Sequence, residues 1–441
     1  MKERHRLAVP RASARVSSAR ASPIVRASLA ILVSAASCAR GAPSTPEPLP
    51  MPVESPLKAR ARGLVAMMSD EELVGQVMMI DAEGSASLSE ASRAVLETVR
   101  PGAVLLFGYN VAAGPASTAS LTKSIRSAAG SGGLPPFIAI DHEGGSVYRF
   151  KGGLTRLPSA KALGLAGPRA ARAAGRAAGS ELRALGIAMN LAPVVEALSD
   201  DNASFLADRA WSEDPSVSGR LAAGFIEACQ DGGTAAVAKH FPGNAATDPH
   251  LGLPVIRASL EAVEASLLPP FRIAARAGVS AIMLSHAVVV ALDPDLPASL
   301  SPRVVSALKD GLGFDGIVMT DDLSMRALSA YGGLGAVGPA ALAAGADLVM
   351  VSGGRDALAI REALLEALGH GALSRERLRD AASRVVEQKL RFGLDSETDD
   401  ERAARFDALA GTVAAGTAAL KEARESARES ARGGPRDRLD P

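Results

Sequence analysis

The stretch Lys239-His240-Phe241-Pro242-Gly243-Asn244-Ala245-Ala246-Thr247-Asp248-Pro249-His250 brings a lysine, an aspartate and two histidines together. It follows a short apolar run, Thr234–Ala238, whose length and flanking glycines suit a buried strand. Burying such groups without partners is costly, so the cluster reads as a site or as a salt-bridge knot beside a turn. An imidazole titrates near neutrality, and an adjacent carboxylate fixes its orientation and tautomer. Asp248 and His250 are therefore suited to moving a proton. Their structural alternative is a plain turn, which Asp-Pro favours. Three more groups follow apolar runs: Asp141-His142-Glu143, Ser285-His286 and Thr320-Asp321-Asp322. The histidines suggest a metal hydrolase, yet neither His-x-His nor His-Glu-x-x-His spacing occurs.

The elements that must position these residues alternate along the chain. Apolar runs occur at 77–80, 103–107, 137–140, 188–191, 235–238, 281–284, 316–319 and 348–351. Helical patterns lie between most of them, for example at 89–99, 169–185, 217–230, 260–277 and 303–312. Eight buried strands joined by crossover helices predict an α/β fold, a (β/α)₈ TIM-type barrel with a single catalytic domain. A doubly wound open sheet is the alternative, but no Gly-rich phosphate loop follows the first strand. In such barrels chemistry sits at the C-terminal ends of the strands. His142, His240, His250 and His286 all fall at those ends or in the loop after one.

Composition bounds the remainder. The 441 residues are 47% hydrophobic but only 3% aromatic, with a formal net charge of zero. Residues 1–37 carry seven Lys/Arg and one acid, which leaves 41 basic against 47 acidic residues beyond them. A mildly acidic protein without a basic stripe argues against a nucleic-acid partner. Residues 1–38 read as a lipoprotein-type signal peptide: a basic start, the apolar run Ala27–Val33, then Ala35-Ala36-Ser37-Cys38. The run is too short for a permanent membrane span. Cys229 is the only other cysteine, so no internal disulfide explains Cys38, and lipidation there is expected. An ordinary secretory signal is the alternative. Residues 39–60 form a Pro-rich tether, 61–396 the barrel domain, and 397–441 a charged helical or disordered tail without a chemical role. The expected location is the exported side of the cell envelope. Ala39 after the cysteine favours the outer membrane or periplasm where two membranes exist.

Several motifs in order carry a resemblance that runs from Met68 to Leu394. They are Gly75-Gln76-Val77, Ile140-Asp141-His142-Glu143-Gly144-Gly145, Asn190-Leu191-Ala192-Pro193-Val194, Asp208-Arg209-Ala210-Trp211, Lys239 to His250, Leu296–Ser301 and Asp315–Met325. Together they resemble the single-domain bacterial β-N-acetylglucosaminidases of glycoside hydrolase family 3. The resemblance implies a retaining enzyme with Asp321 as nucleophile and the Asp248–His250 pair as acid/base. It further implies Asp141, Arg209, Lys239 and His240 as binders of sugar hydroxyls, and His286 as a brace of the barrel mouth. Retention needs a nucleophile below the anomeric carbon and a proton donor at the leaving oxygen, which these residue types can supply. Peptidoglycan fragments or chitin oligomers would be the substrates of a monomer that needs no cofactor.

Departures from the family pattern bear on the aglycone. The loop before Asp248 is two residues shorter than usual, and Pro249 stands where serine is common. His142 and Ser146 replace a common glutamine and arginine, and Glu196 a frequent aspartate. Related β-glucosidases take their acid from a second α/β domain; only the 397–441 segment follows the barrel here, so the donor is expected from the barrel loop. A β-glucosidase or phosphorylase of the same family, and a non-catalytic sugar-binding lipoprotein, are the other functional readings.

Overall fold

The computed structural model describes residues 54–130 and 134–432. Cys38, the signal-type segment and most of the tether lie outside the described residues. Eight parallel strands close into a barrel: β1 Met78–Asp81, β2 Ala103–Leu106, β3 Phe137–Ile140, β4 Met189–Asn190, β5 Ala235–Phe241, β6 Ala281–Leu284, β7 Ile317–Asp322 and β8 Leu348–Val351. Each strand pairs with its neighbours in sequence, and β8 closes on β1 with Met79 opposite Met350. The fold predicted from the alternating runs is therefore the fold found.

Alternation along each strand divides the core in two. Met79, Leu105, Ala139, Met189, Val237, Met283, Met319 and Met350 fill the barrel interior. Their neighbours Ile80, Val104, Ile138, Ala238, Ile282, Val318 and Val349 face the surrounding helices. Unbranched methionines suit the interior, because flexible thioethers fill irregular space between layers. At the N-terminal end of the strands Phe392 and Leu394 plug the barrel, and Phe392 meets Phe137 edge-on at 6.5 Å.

The helices pack closely where residues are small. On the Pro168–Ala184 helix, a Cβ on Gly175 or Gly179 would lie 2.3 Å from the carbonyl of Phe225 or 2.1 Å from that of Cys229. Only glycine permits this approach to the Pro215–Asp231 helix. Cys229 is fully buried in that contact, and burial pushes its thiol up to about 12. It is a packing residue and not a reactive one.

At the two ends of the described region the structure corrects one boundary of the sequence reading and selects between two alternatives. Residues 56–60, assigned above to the tether, belong to the Pro56–Ala66 helix, which packs on the Arg375–Arg391 helix. Ser55 caps it through the Lys58 amide and Pro56 occupies its first position, so the last proline starts a helix instead of extending a linker. The segment after 396 is helical at Asp399–Asp407 and Leu409–Arg432. The helical alternative holds for these residues, and the second helix is docked along one face. Leu409, Leu420 and Ala423 are buried, and the second helix lies along the Pro168–Ala184 helix. Among the described residues no helix is long and apolar enough to cross a membrane.

Candidate active site

The polar ends of β3, β5 and β7 converge at the barrel mouth, joined by loops after β3 and β4. Strand β5 runs on through Lys239 and His240 to Phe241, and its register against β6 shifts between Lys239 and Phe241. A bulge of this kind re-aims the extra residue. Lys239 is 3% exposed; its ammonium lies 2.5 Å from Asp141 Oδ1 and 2.8 Å from Glu143 Oε1. Arg209 forks the same Glu143 with Nε at 2.9 Å and Nη2 at 2.8 Å. Asp141, Lys239, Glu143 and Arg209 thus form a row of alternating charge. Burial alone would neutralise Glu143, but Lys239 and Arg209 hold its carboxyl far below the usual range. Burial likewise works against the Lys239 ammonium, and Asp141 and Glu143 outweigh it, raising its pKa.

His240 is fixed by Glu196. Its amide at 3.1 Å and ring Nδ1 at 2.8 Å both reach Glu196 Oε1, while Asn244 donates its amide (2.7 Å) and side chain (3.0 Å) to the same carboxylate. Nδ1 donating to a carboxylate leaves Nε2 as the free ring position. Phe205 packs edge-on against the imidazole at 5.8 Å.

Asp321 is the next-to-last residue of β7, with 9% exposure. Desolvation would raise its pKa; His240, His286, the Asp322 amide at 2.8 Å and Lys239 more than offset this, so the carboxyl stays below its ordinary value. Its neighbour Asp322 does structural work: Oδ1 accepts from Ser324 N at 2.9 Å. His286 braces the same strand, donating Nε2–H to the Asp322 carbonyl at 2.9 Å and accepting from the Ser299 hydroxyl at 2.8 Å.

Asp248 and His250 pair with one another rather than with the buried row. Asp248 Oδ1 accepts from the His250 amide at 2.9 Å and meets ring Nδ1 at 2.8 Å. The side chains are 42% and 63% exposed, against 9% for Asp321. The loop is nevertheless tied down. The Pro249 carbonyl accepts from Ala327 N at 3.0 Å, on the turn that follows Asp321, and Ser204 Oγ donates to the Ala246 carbonyl at 3.1 Å.

Asp141, Arg209, Lys239, His240 and Asp321 are thus brought together, and the Asp248–His250 pair sits on a loop anchored beside them. Three contributors escaped the sequence reading. Glu196 had appeared only as a replaced aspartate, Asn244 only as part of the loop, and Glu143 only as a neighbour of Asp141. Arg149, 3.7 Å from Asp141 Oδ2, was also missed; its one signal is a cation in a loop leaving the C-terminal end of a barrel strand. His142 does not join the site: it is buried against Tyr148 and Phe150, and burial pushes its imidazole down to about 3.

The (β/α)₈ barrel thus carries at its mouth a buried carboxylate, a carboxylate–histidine pair on a tethered loop and a row of alternating charges, and its relatives define the class as glycoside hydrolase. Residues 69–388 match the glycosyl hydrolase family 3 N terminal domain, and the chain belongs to that family. It is 38% identical over 284 residues to the β-hexosaminidase of Thioalkalivibrio sulfidiphilus, covering 62% of this chain and 80% of that protein. It is 37% identical over 285 residues to the β-hexosaminidase of Thiobacillus denitrificans, covering 62% and 77%. Among solved structures, a glycoside hydrolase family 3 β-N-acetylglucosaminidase from Paenibacillus superposes with TM-score 0.71 at 33% identity, covering 78% of this chain and 69% of that one. The β-N-acetylhexosaminidase of Beutenbergia cavernae superposes with TM-score 0.66 at 30% identity, covering 74% and 99%.

Proposed function

We propose that this protein is a retaining exo-β-N-acetylglucosaminidase that removes terminal β-linked N-acetylglucosamine from peptidoglycan fragments or chitin oligomers. The observation that carries the reading is Asp321, a buried carboxylate kept ionised at the barrel mouth by histidines and a lysine. The likeness to proteins named β-hexosaminidase supports the sugar.

In the first step Asp321 attacks the anomeric carbon while His250 gives its ring proton to the departing oxygen, leaving a glycosyl ester on Asp321. Asp248 steadies the imidazolium before transfer and the tautomer after it. In the second step His250 takes a proton from water, the hydroxide attacks the anomeric carbon, and Asp321 leaves as carboxylate. Two displacements return the sugar with its β configuration. Asp141, Lys239, His240 and Arg209 would hold the ring hydroxyls. Lys239 has a third N–H beyond its two carboxylates, Arg209 keeps Nη1 beyond its fork, and His240 keeps Nε2.

The test is a panel of 4-nitrophenyl glycosides with the product followed by proton NMR. Release from the N-acetyl-β-glucosaminide, with β-N-acetylglucosamine appearing first and no need for phosphate, is expected. Preference for the glucoside, or formation of a glycosyl phosphate, would reject the proposal. The second part of the reading is lipidation at Cys38, motivated by Ala35-Ala36-Ser37-Cys38. Cys38→Ala should remove a lipid label and release the protein from membranes; a wild-type protein without label would reject the anchor.

A further inference from the structure

The uppermost layer of the barrel interior has one member to which the reaction above gives no part. Met79, Ala139, Val237 and Met319 point inward on β1, β3, β5 and β7. Side chains of alternate strands share a layer in such barrels, and strand alternation turns the next residue but one inward as well. On β3, β5 and β7 that residue is Asp141, Lys239 and Asp321; on β1 it is Asp81. The register of β1 against β2 agrees, since Asp81 stands opposite Leu105, which lies in the interior. Three strands of the layer thus carry the proposed nucleophile and two proposed sugar binders, and the remaining strand carries a carboxylate.

Asp81 differs from the other acids of the mouth in its partners. Lys239 pairs with Asp141 and Glu143, and Asp321 lies beside His240 and His286. Asp81 has no cation at salt-bridge distance among the described residues. Its Oδ1 accepts from Gly353 N at 2.7 Å, in the loop after β8, and its Oδ2 accepts from no donor among the described residues. The residue is only half-buried, and Oδ2 is not sealed from solvent. Burial raises its pKa against the pull of the Gly353 amide, and Asp322 and Glu83 add to the rise. An acceptor of this kind suits a neutral donor such as a hydroxyl. Tyr109 borders it, on the short Gly108–Val111 helix after β2, and its own pKa is raised by burial and by the charges of Asp81 and Glu83. Among the described residues Tyr109 is the one Phe, Tyr or Trp that is more than half exposed, at 52%. Its turn also adjoins Arg149, whose Cδ would lie 3.9 Å from a Cβ on Gly108. A free acceptor beside an exposed ring matches a hydroxymethyl group, which offers a hydroxyl and a methylene. An acetamido group would also ask for a donor to its carbonyl. Asp81 and Glu83 have none to give when ionised, and the Tyr109 hydroxyl is turned to the Ala82 carbonyl, 3.5 Å away.

We propose that Asp81 is a further sugar-binding residue of the mouth, its free carboxylate oxygen accepting the 6-hydroxyl of the bound hexose while the Tyr109 ring lies against the C6 methylene. The inference rests on reading the mouth as a hexose site, but not on which hexose it takes, since glucosides and N-acetylglucosaminides share the 6-hydroxyl. It gives the β1–β2 side of the mouth the acceptor, and leaves the donors Lys239, Arg209 and His240 to the remaining ring hydroxyls.

The experiment crosses changes in the enzyme with a change in the substrate. kcat/KM is measured for the wild type, Asp81→Ala and Asp81→Asn on the 4-nitrophenyl N-acetyl-β-glucosaminide and on its 6-deoxy counterpart. Removing the 6-hydroxyl should slow the wild type by about 10–100-fold, the worth of a hydrogen bond to a charged group. Asp81→Ala should lose as much on the parent substrate and little on the 6-deoxy one, so that the two removals do not add. Asp81→Asn keeps an acceptor for Gly353 N and should show the same pattern at reduced size; it decides the matter if circular dichroism shows that the alanine variant does not fold. Equal losses on the two substrates would mean that Asp81 serves only to hold the loop after β8. A wild type indifferent to the 6-hydroxyl would mean that the mouth does not grip it. Either result overturns the proposal. Cleavage of the glucoside instead would reject the sugar assigned above, and the same cycle run on the glucoside and its 6-deoxy form would still decide the role of Asp81.

Discussion

At the mouth of the barrel Lys239 sits between Asp141 and Glu143, whereas at the floor Lys389 is wholly buried and, among the described residues, meets only Gln76 Oε1 at 2.7 Å. The two ammonium groups respond in opposite directions. Carboxylates overcome burial and raise Lys239, while burial without any counter-charge pushes Lys389 down to about 7. The carboxylates differ too. Glu143 shares two cations with donors left over for a ligand, and Glu397 is crowded by four. Charges at the mouth are matched and hold each other in place; those at the floor are unequal and hold chain segments together. A closed parallel barrel allows this division, because loops after strand ends can vary while the opposite face secures the fold.

The comparison breaks most visibly if His250 is not the acid of the mouth. His250→Ala should slow disaccharide cleavage by roughly 10²–10⁴-fold, the usual range for general acid catalysis. Nitrophenyl glycosides, whose leaving group needs little protonation, should lose far less in the first step. Azide, which needs no deprotonation, should then restore turnover and yield a β-glycosyl azide. Equal losses on both substrates without azide rescue would assign the proton to another group, and Glu143, forked by Arg209, is too strongly ionised to be an easy replacement.

A smaller effect sharpens the account of the floor. The unfolded lysine titrates near its ordinary value of 10.5 and the folded one at about 7, so the unfolded chain binds more protons between those values. Lys389 therefore makes the wild type more stable as pH rises through that window. Lys389→Met removes the dependence, and its advantage over wild type in urea melts should be about 2–4 kcal/mol larger at pH 7 than at pH 10. The lost bond to Gln76 shifts both pH values alike. A difference that does not change with pH would mean that Lys389 keeps its proton in the fold.

The mouth was more legible in the sequence than the floor, for a physical reason. The polar side chains of the mouth stand directly after apolar runs, so Asp141, Lys239, His240 and Asp321 announce themselves by position. The run at 235–238 understated β5, which extends to Phe241 because Lys239 and His240 find partners that a hydrophobic pattern cannot show. Glu196 lies 44 residues from His240, and nothing local indicates that they meet. The floor depends almost wholly on such distant pairs. Glu397 finds Arg126 271 residues away, and Leu409, Leu420 and Ala423 are too sparse among alanines to mark a buried face. The charged, Ala-rich segment after 396 thus reads as solvated although it is docked. Polar contacts set by topology, unlike strand periodicity, leave no local trace.

The proposed mechanism places a covalent bond at Asp321, and trapping that bond tests it most directly. An activated fluoro-sugar of the N-acetyl-β-glucosaminide slows both steps and accumulates the glycosyl ester. Peptide mass spectrometry of the trapped protein should show one added sugar, located on Asp321, and none in Asp321→Asn, which should be folded and inactive. A sugar on a different carboxylate, or full turnover by Asp321→Asn, would contradict the mechanism.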